Sequence, residues 1–208
     1  MKTVKTKVYL FTELSEEAKE TAIKNYRNKN YDNSFYYDEI TESVKAVIDL
    51  FNLSTGREYS DIRTDSIDDT ILELSGARLY TYLINNYYSD LFKPKYIKTL
   101  DREFKANAFI CKVRTDHKGE KYTQIFSKFK VSNECVLTGV CYDDNILEPI
   151  YSFLKKPTNE TFEDLLQGIG HAISKSYSDM EEWLYSVEYI TDSIQGNDYE
   201  FTKEGNIF

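Results

Sequence analysis

Cysteines and histidines are the side chains whose chemistry is easiest to recognise from spacing, and here they are few. The three cysteines, Cys111, Cys135 and Cys141, share the odd parity of predicted strands. Same-parity side chains lie on one face of a sheet, so these thiols are expected to pack in the core. An odd number of embedded thiols also indicates a reducing compartment rather than a disulfide framework. No cofactor or structural metal is predicted.

Two further patterns only superficially resemble functional motifs. Gly168-x-Gly170-His171 lacks the preceding strand, the third glycine and the Lys-Ser/Thr of a phosphate loop, so a helix kink or packing contact is expected. The acidic turn Asp65–Asp69 offers carboxylates to a cation, but its spacing is not that of a calcium loop. We interpret the turn as a solvated acidic loop, with a metal-dependent hydrolase as the alternative. No catalytic residue is predicted.

A basic face is predicted in the middle of the chain. Apolar and polar side chains alternate with period two over residues 107–131. This pattern predicts two strands joined by a tight turn at Asp116–Glu120, where Gly119 supplies a permissive backbone. Cations beside a tyrosine suit a nucleic-acid surface, and they equally suit an acidic protein surface. Two alternatives remain, docking against the chain's own acidic C-terminal region or simple solvation. The face and turn comprise Lys112, Arg114, Lys118, Lys121, Tyr122, Lys128 and Lys130.

An acidic surface is predicted near the C-terminus. Seven acids and no basic residue occur between Lys175 and Lys203, and in one continuous helix Glu181, Glu188 and Asp192 would share a side. Such a stripe can imitate nucleic-acid phosphates and occupy a cationic groove. A solvated face that promotes solubility is the alternative. The predicted acidic binding residues are Asp179, Glu181, Glu182, Glu188 and Asp192.

Charge is strongly segregated along a chain of 208 residues with net charge −9. Residues 93–130 carry 11 basic and 4 acidic side chains, whereas residues 131–208 carry 4 basic and 15 acidic ones. An apolar fraction of 41% indicates a globular protein. No apolar run is long enough for a membrane span, and the N-terminus does not resemble a signal peptide, so a cytoplasmic protein with no membrane partner is expected.

The elements that must position these surfaces predict an α+β fold in a single domain, residues 1–208. An antiparallel sheet with a central β-hairpin meander is expected, packed by several helices including a long C-terminal helix. The meander would use a third strand at Glu134–Tyr142. Helices are expected after a cap at Ser15, over Phe35–Phe51 and over Ala77–Leu91. The second of these would bury Ile40, Val44, Val47 and Phe51, and Ser54-Thr55-Gly56 would end that unit. Strands are expected near Glu58–Arg63 and Thr70–Leu74.

The last helical region is expected to begin at a cap on Thr158 and to end at Gly196. Its predicted apolar stripe comprises Ile173, Tyr177, Met180, Leu184, Val187 and Ile194. A strand and a turn at Lys203–Asn206 are expected after it.

The two ends of the chain resemble a known group of proteins. VYLFTELSEEAKETAIKNYR near the start and NDYEFTKEGNIF at the end look like a family of small uncharacterised bacteriophage and prophage proteins, some loosely labelled antitoxin-like. The resemblance implies a phage origin and a bacterial host cytoplasm, and it brings no catalytic residues. We therefore expect a non-enzymatic anti-defence inhibitor, of the anti-CRISPR kind, that binds a host defence protein or ribonucleoprotein complex. The alternative is a nucleic-acid-binding accessory protein that uses the basic hairpin. The oligomeric state is left open.

Overall fold

The computed structural model describes residues 7–29, 34–92, 111–125 and 135–208, apart from the side chains of residues 34, 111–113 and 121–125. These residues form eight α-helices and six short strands, which confirms the α+β class. In this part of the chain the strands form three two-stranded antiparallel sheets, in which β1 pairs with β6, β2 with β3, and β4 with β5. The strands are β1 Tyr9–Leu10, β2 Ser54–Thr55, β3 Ile62–Arg63, β4 Cys111–Thr115, β5 Lys121–Ile125 and β6 Glu200–Phe201.

The helices supply most of the structure. They are α1 Glu16–Asn28, α2 Ser34–Phe51, α3 Asp69–Leu72, α4 Gly76–Leu91, α5 Tyr142–Ile146, α6 Glu148–Lys155, α7 Phe162–Leu184 and α8 Val187–Gly196. Backbone contacts divide the chain into two compact units. Unit 1 comprises Met1–Phe35 with Ser178–Phe208, and unit 2 comprises Tyr36–Tyr177. The single domain expected from the sequence stays a prediction.

Unit 1 has its own apolar core between α1 and α8. Ala18 and Ala22 of α1 are buried in one cluster with Ile190 and Ile194 of α8. Because alanine side chains are small, two helices can approach closely along them. The predicted cap of α1 is confirmed, since the Ser15 hydroxyl accepts a hydrogen bond from the Ala18 N–H at 3.3 Å.

The C-terminal tail closes over α1 in the same unit. β6 pairs with β1, with Tyr9 opposite Phe201. The predicted turn after β6 is confirmed by a 2.8 Å hydrogen bond from the Thr202 N–H to the Asn206 carbonyl. Gly205 within this turn has φ +82°, and a Cβ there would collide with the carbonyl of Ala18. This position therefore requires glycine for both its conformation and its close approach.

Unit 2 buries the stripe predicted for α2. Ile40, Val44, Val47 and Phe51 are essentially inaccessible to solvent. The Phe51 ring packs edge-on against Phe162 at the start of α7, with 6.0 Å between ring centroids. The predicted buried face of α2 is therefore confirmed, because a helix of this length buries one continuous face.

Helix α7 runs without a break through the two glycines of the Gly-x-Gly-His pattern. A Cβ on Gly170 would lie 2.5 Å from the Ser60 carbonyl, and one on Gly168 would lie 3.2 Å from Pro149 Cβ. The expected packing contact is thus confirmed, and a break in the helix is not seen. His171 is exposed on this helix. The Thr158 cap was wrong, because α7 begins three residues later than that cap requires.

The third strand of the predicted meander is also wrong where the structure describes it. Residues 135–141 form a loop around the buried side chain of Asp143. The Asp143 carboxylate accepts from the N–H groups of Leu137 at 2.9 Å, Thr138 at 2.7 Å and Gly139 at 3.3 Å. Such local side-chain bonds occupy donors that a β-ladder would need. The alternation of apolar residues predicted a strand here, but the hydrogen bonds of Asp143 hold residues 135–141 in a loop instead.

The strand expected at Thr70–Leu74 is replaced by the short helix α3. Asp68 caps α3, since its Oδ1 accepts from the Thr70 N–H at 2.8 Å. The strand partner of β3 is instead β2, at Ser54–Thr55, where the sequence suggested only the end of α2. Aspartate favours a helix N-terminus because its carboxylate binds an otherwise unpaired amide.

Candidate interaction surfaces

The turn of the predicted hairpin is confirmed in detail. The Asp116 N–H donates to the Glu120 carbonyl at 2.9 Å, and the Gly119 N–H donates to the Asp116 carbonyl at 3.1 Å. The Asp116 side chain accepts from the N–H groups of Lys118 and Glu120, at 2.8 and 2.9 Å. Gly119 has φ +83°, which explains the glycine. The turn holds the exposed Lys118 at a defined position.

The strand register determines which basic positions share a face. Arg114 lies opposite Tyr122, and Lys112 lies opposite Gln124. Directly opposed residues of an antiparallel pair project to the same side, and parity along β4 places 112 and 114 together. Position 121 pairs with Thr115 and so belongs to the other face. Arg114 is exposed.

The rest of the seven-residue basic set is only partly described. The side chains of Lys112, Lys121 and Tyr122 are not described, and Lys128 and Lys130 lie outside the described residues. The register therefore brings together positions 112, 114 and 122, and it separates position 121 from them.

The acidic residues do not lie on one continuous helix. Helix α7 ends at Leu184 and α8 begins at Val187. The Ser186 hydroxyl accepts from the Tyr189 N–H at 3.1 Å, and the backbone at Ser186 is extended, with φ −66° and ψ 150°. A serine N-cap thus ends the helical path that the apolar period suggested. The expectation that Glu181, Glu188 and Asp192 share one helical side is wrong, because they belong to two helices.

The five predicted acidic residues are nevertheless all exposed. Asp179, Glu181 and Glu182 lie in the last two turns of α7, and Glu188 and Asp192 lie in α8. An α-helix bond from the Tyr185 N–H to the Glu181 carbonyl, at 3.1 Å, closes the end of α7. The carboxylates are therefore distributed on both sides of the connection between the two helices.

Three large apolar side chains on this connection were missed by the sequence analysis. Trp183 is 47% exposed, Tyr185 is 54% exposed and Val187 is 55% exposed. The Trp183 ring packs on Tyr189, with 4.3 Å between ring centroids. We call the α7–α8 corner the surface formed by these residues and the flanking acids. Its members are Glu181, Glu182, Trp183, Tyr185, Val187, Glu188 and Asp192.

The signal that identifies these three apolar residues is their position relative to the buried stripe. Met180 and Leu184 of α7, and Ile190 and Ile194 of α8, are buried. Residues 183, 185 and 187 fall between these positions and therefore point away from the core. The predicted position of Val187 in the buried stripe is wrong, because α7 and α8 are two helices and not one.

Contacts with α1 fix the backbone of the α7–α8 corner. The guanidinium Nε of Arg27, in the last turn of α1, donates to the Tyr185 carbonyl at 3.1 Å. A carbonyl at a helix C-terminus lacks an intrahelical partner, and a cation there is favoured by the helix dipole. The exposed rings are therefore presented by a fixed backbone, which lowers the entropy cost of binding.

The acidic turn Asp65–Asp69 has a structural role at one residue. The hydrogen bonds that Asp68 accepts from the hydroxyl and N–H of Thr70 lower the pKa of its carboxyl. Asp65 and Asp69 are exposed. Among the described residues, no group of three or more His, Cys, Asp or Glu side chains could hold a metal ion.

Comparisons with protein-family models, curated proteins and solved structures gave no match. The resemblance of the chain ends to phage proteins accordingly stays a prediction. Within the described ranges, no helix has both the length and the apolar character needed to cross a membrane.

Proposed function

We propose that this chain is a phage-encoded, non-enzymatic inhibitor that binds a host defence nuclease complex of the CRISPR type and blocks its engagement of nucleic acid. The observation that carries the proposal is the α7–α8 corner. There, Trp183 and Tyr185 are exposed among carboxylates on both neighbouring helices.

The chemistry of the corner suits a cationic groove. Carboxylates of Glu181, Glu182 and Glu188 would occupy positions that phosphates take, in contact with lysine and arginine side chains. Charge alone gives weak and salt-sensitive binding, because exposed ion pairs contribute little. Trp183 and Tyr185 would add binding free energy beyond that of the ion pairs, because tryptophan and tyrosine are enriched among the residues that dominate interface energies. The combination favours a nucleic-acid-binding protein as partner.

The test is competition on a purified effector ribonucleoprotein loaded with its guide RNA. We expect the chain to bind at physiological salt and to displace fluorescent target DNA. Trp183→Ala is expected to weaken binding about tenfold or more. Glu182→Lys is expected to do the same, because it places a cation against a cationic groove.

A matched control is Asp49→Lys, which makes the same charge change at an exposed position on α2. It is expected to leave binding unchanged. Equal losses for Glu182→Lys and Asp49→Lys would point to net charge rather than the corner. Absence of binding to any effector of a susceptible host would overturn the proposed function.

A second candidate is a nucleic-acid-binding accessory protein that uses the basic hairpin. It is favoured by the register, which puts positions 112, 114 and 122 on one face beside the exposed Lys118. We expect single-stranded DNA or RNA to bind with an affinity that falls steeply with salt. Charge reversal at Lys112, Arg114 and Lys128 together should abolish that binding.

Lys156→Glu is the control for this candidate, because Lys156 is exposed and lies far from the hairpin in sequence. Binding that survives the triple reversal, or that is lost equally with Lys156→Glu, would exclude the hairpin as the nucleic-acid surface. Displacement of target DNA from an effector, without direct nucleic-acid binding, would favour the inhibitor over the accessory protein.

A further inference from the structure

Cys135 and Cys141 lie at the two ends of the loop that replaces the predicted third strand. The Cys135 N–H donates to Asp144 Oδ1 at 2.9 Å, and its thiol lies 3.9 Å from Oδ2 of the same carboxylate. Cys141 is the residue before α5, and Asp144 follows it by three positions in the first turn. Side chains three apart at a helix start lie on the same side, so both thiols flank one carboxylate.

Burial changes the acidity of the inner thiol. It raises the pKa of Cys135 to about 11, and the negative charge of Asp144 and the neighbouring Cys141 raise it further. Cys141 is exposed, whereas Cys135 is half-buried. The prediction that both thiols pack in the core is wrong for Cys141.

The loop between the thiols is held closed by a buried anchor. Asp143 binds three successive N–H groups within it, and the Thr138 hydroxyl donates to Asp143 Oδ1 at 2.8 Å. The hydroxyl groups of Thr138 and Ser43 are 3.2 Å apart, which connects the loop to α2. Because these bonds already fold the loop and Cys135 is hydrogen-bonded to Asp144, bridging the two cysteines costs little further chain entropy.

We propose that Cys135 and Cys141 form a reversible intramolecular disulfide, with a peroxide as oxidant. The assignment is independent of the proposed function. It adds a modification site at two cysteines that are both free in this structure.

The exposed Cys141 reacts first, because its sulfur is open to the peroxide, whereas Cys135 is half-buried and burial raises the pKa of its thiol. The Cys141 sulfur attacks one peroxide oxygen, the O–O bond breaks, and the hydroxide released takes a proton to become water. The product is a sulfenic acid on Cys141.

The Cys135 sulfur then attacks the Cys141 sulfur, the S–O bond breaks, and the departing hydroxide leaves as water with the Cys135 proton. In total two thiols lose two electrons and one hydrogen peroxide becomes two waters. A dithiol reductant reverses the oxidation.

The sequence makes the test simple on the unmodified full chain. No lysine or arginine lies between Val131 and Lys155, so both cysteines fall in one tryptic peptide. Treatment with one equivalent of hydrogen peroxide is expected to reduce alkylatable thiols from three per chain to one. The peptide is expected to lose the mass of two hydrogens, and dithiothreitol should restore both signals.

Matched variants separate this pair from the third cysteine. Cys111→Ser should keep the mass loss, and Cys141→Ser should abolish it. The peptide mass measured on the wild-type chain is the main test and requires no variant. A folding defect in Cys111→Ser or Cys141→Ser therefore does not affect it. A peptide that stays fully alkylatable after peroxide, or one cross-linked to the Cys111 peptide or to a second chain, would overturn the proposal.

Discussion

Asp143 is the residue on which the central loop of unit 2 depends. Its side chain is fully buried, and its two oxygens accept four hydrogen bonds from Leu137, Thr138 and Gly139. A buried carboxylate is stable only when donors surround it, because the loss of hydration is otherwise uncompensated. Here three backbone amides and a hydroxyl provide that compensation.

Asp143→Asn is expected to lower the free energy of unfolding by about 2–4 kcal/mol, because a neutral amide places an N–H₂ group against donors and leaves some unpaired. Urea denaturation measures the change. Hydrogen exchange should show lost protection at the amides of residues 137–139.

The exposed Asp49→Asn substitution is the control, and it should change the stability by no more than about 0.5 kcal/mol. Equal stability of the two variants would contradict the anchoring role of Asp143.

Gly205 shows how one residue fixes the closure of the tail on α1. Gly205→Ala adds a Cβ at φ +82° and into contact with the Ala18 carbonyl. We expect a loss of about 2–4 kcal/mol in unfolding free energy, from left-handed backbone strain together with the collision. Equilibrium unfolding in urea measures it.

Gly196→Ala is the matched control, because a Cβ there meets nothing within 4 Å. It should be neutral within about 0.5 kcal/mol. A similar loss in both variants would show that the loss of glycine, and not the contact with Ala18, is responsible.

At the scale of elements, capping decides where α7 begins. The Thr161 N–H donates to Asp164 Oδ2 at 2.8 Å, and the Asp164 N–H donates back to the Thr161 hydroxyl at 3.1 Å. This reciprocal arrangement satisfies two amides that lack helical partners. The bonds from Thr161 lower the pKa of the Asp164 carboxyl.

Asp164→Asn should therefore change the pH dependence of stability. A lowered carboxyl pKa stabilises the fold above the unfolded value of about 3.9, and that contribution is lost as the pH falls through the folded value. We expect the melting temperature of the variant to be lower than that of the wild type at pH 7. The difference should disappear as the pH falls from about 5 to below 3.

Thermal unfolding across this pH range tests the cap. Glu163→Gln removes a neighbouring charge from the same turn and leaves the Thr161 bonds in place, so its difference from the wild type should vary less with pH. Parallel curves for Asp164→Asn and the wild type would exclude the cap as the cause.

At the scale of the molecule, like charges are grouped rather than mixed. The chain has a net charge of −9, and the acids of the α7–α8 corner are exposed, while Lys118 and Arg114 of the hairpin are exposed as well. Repulsion within each group destabilises the folded chain, and salt screens it.

We therefore expect the melting temperature to rise by a few degrees when sodium chloride increases from about 0.05 to about 0.5 M. Replacing Glu181, Glu182 and Glu188 with glutamine should reduce this salt effect. A fall in melting temperature with salt would instead indicate that the basic and acidic groups attract each other within the fold.

Much of the secondary structure follows from local sequence. The stripe of Ile40, Val44, Val47 and Phe51, the Ser15 cap and the hairpin turn at Gly119 were all predicted, because neighbours in sequence determine them. Errors occurred where a polar side chain competes with the apolar pattern. Asp143 prevented a strand, Asp68 capped a helix in place of a strand, and Ser186 divided one predicted helix into two.

By itself, the sequence determined the α+β class, the hairpin, and the segregation of basic and acidic residues, since each depends on residues close together in the chain. Only the tertiary structure decided which side chains are exposed at the α7–α8 corner, and that Cys135 and Cys141 flank one carboxylate. The first depends on where α7 ends and on which faces of the two helices are buried. The second depends on a loop folded around a buried charge, which hydrophobic periodicity does not report.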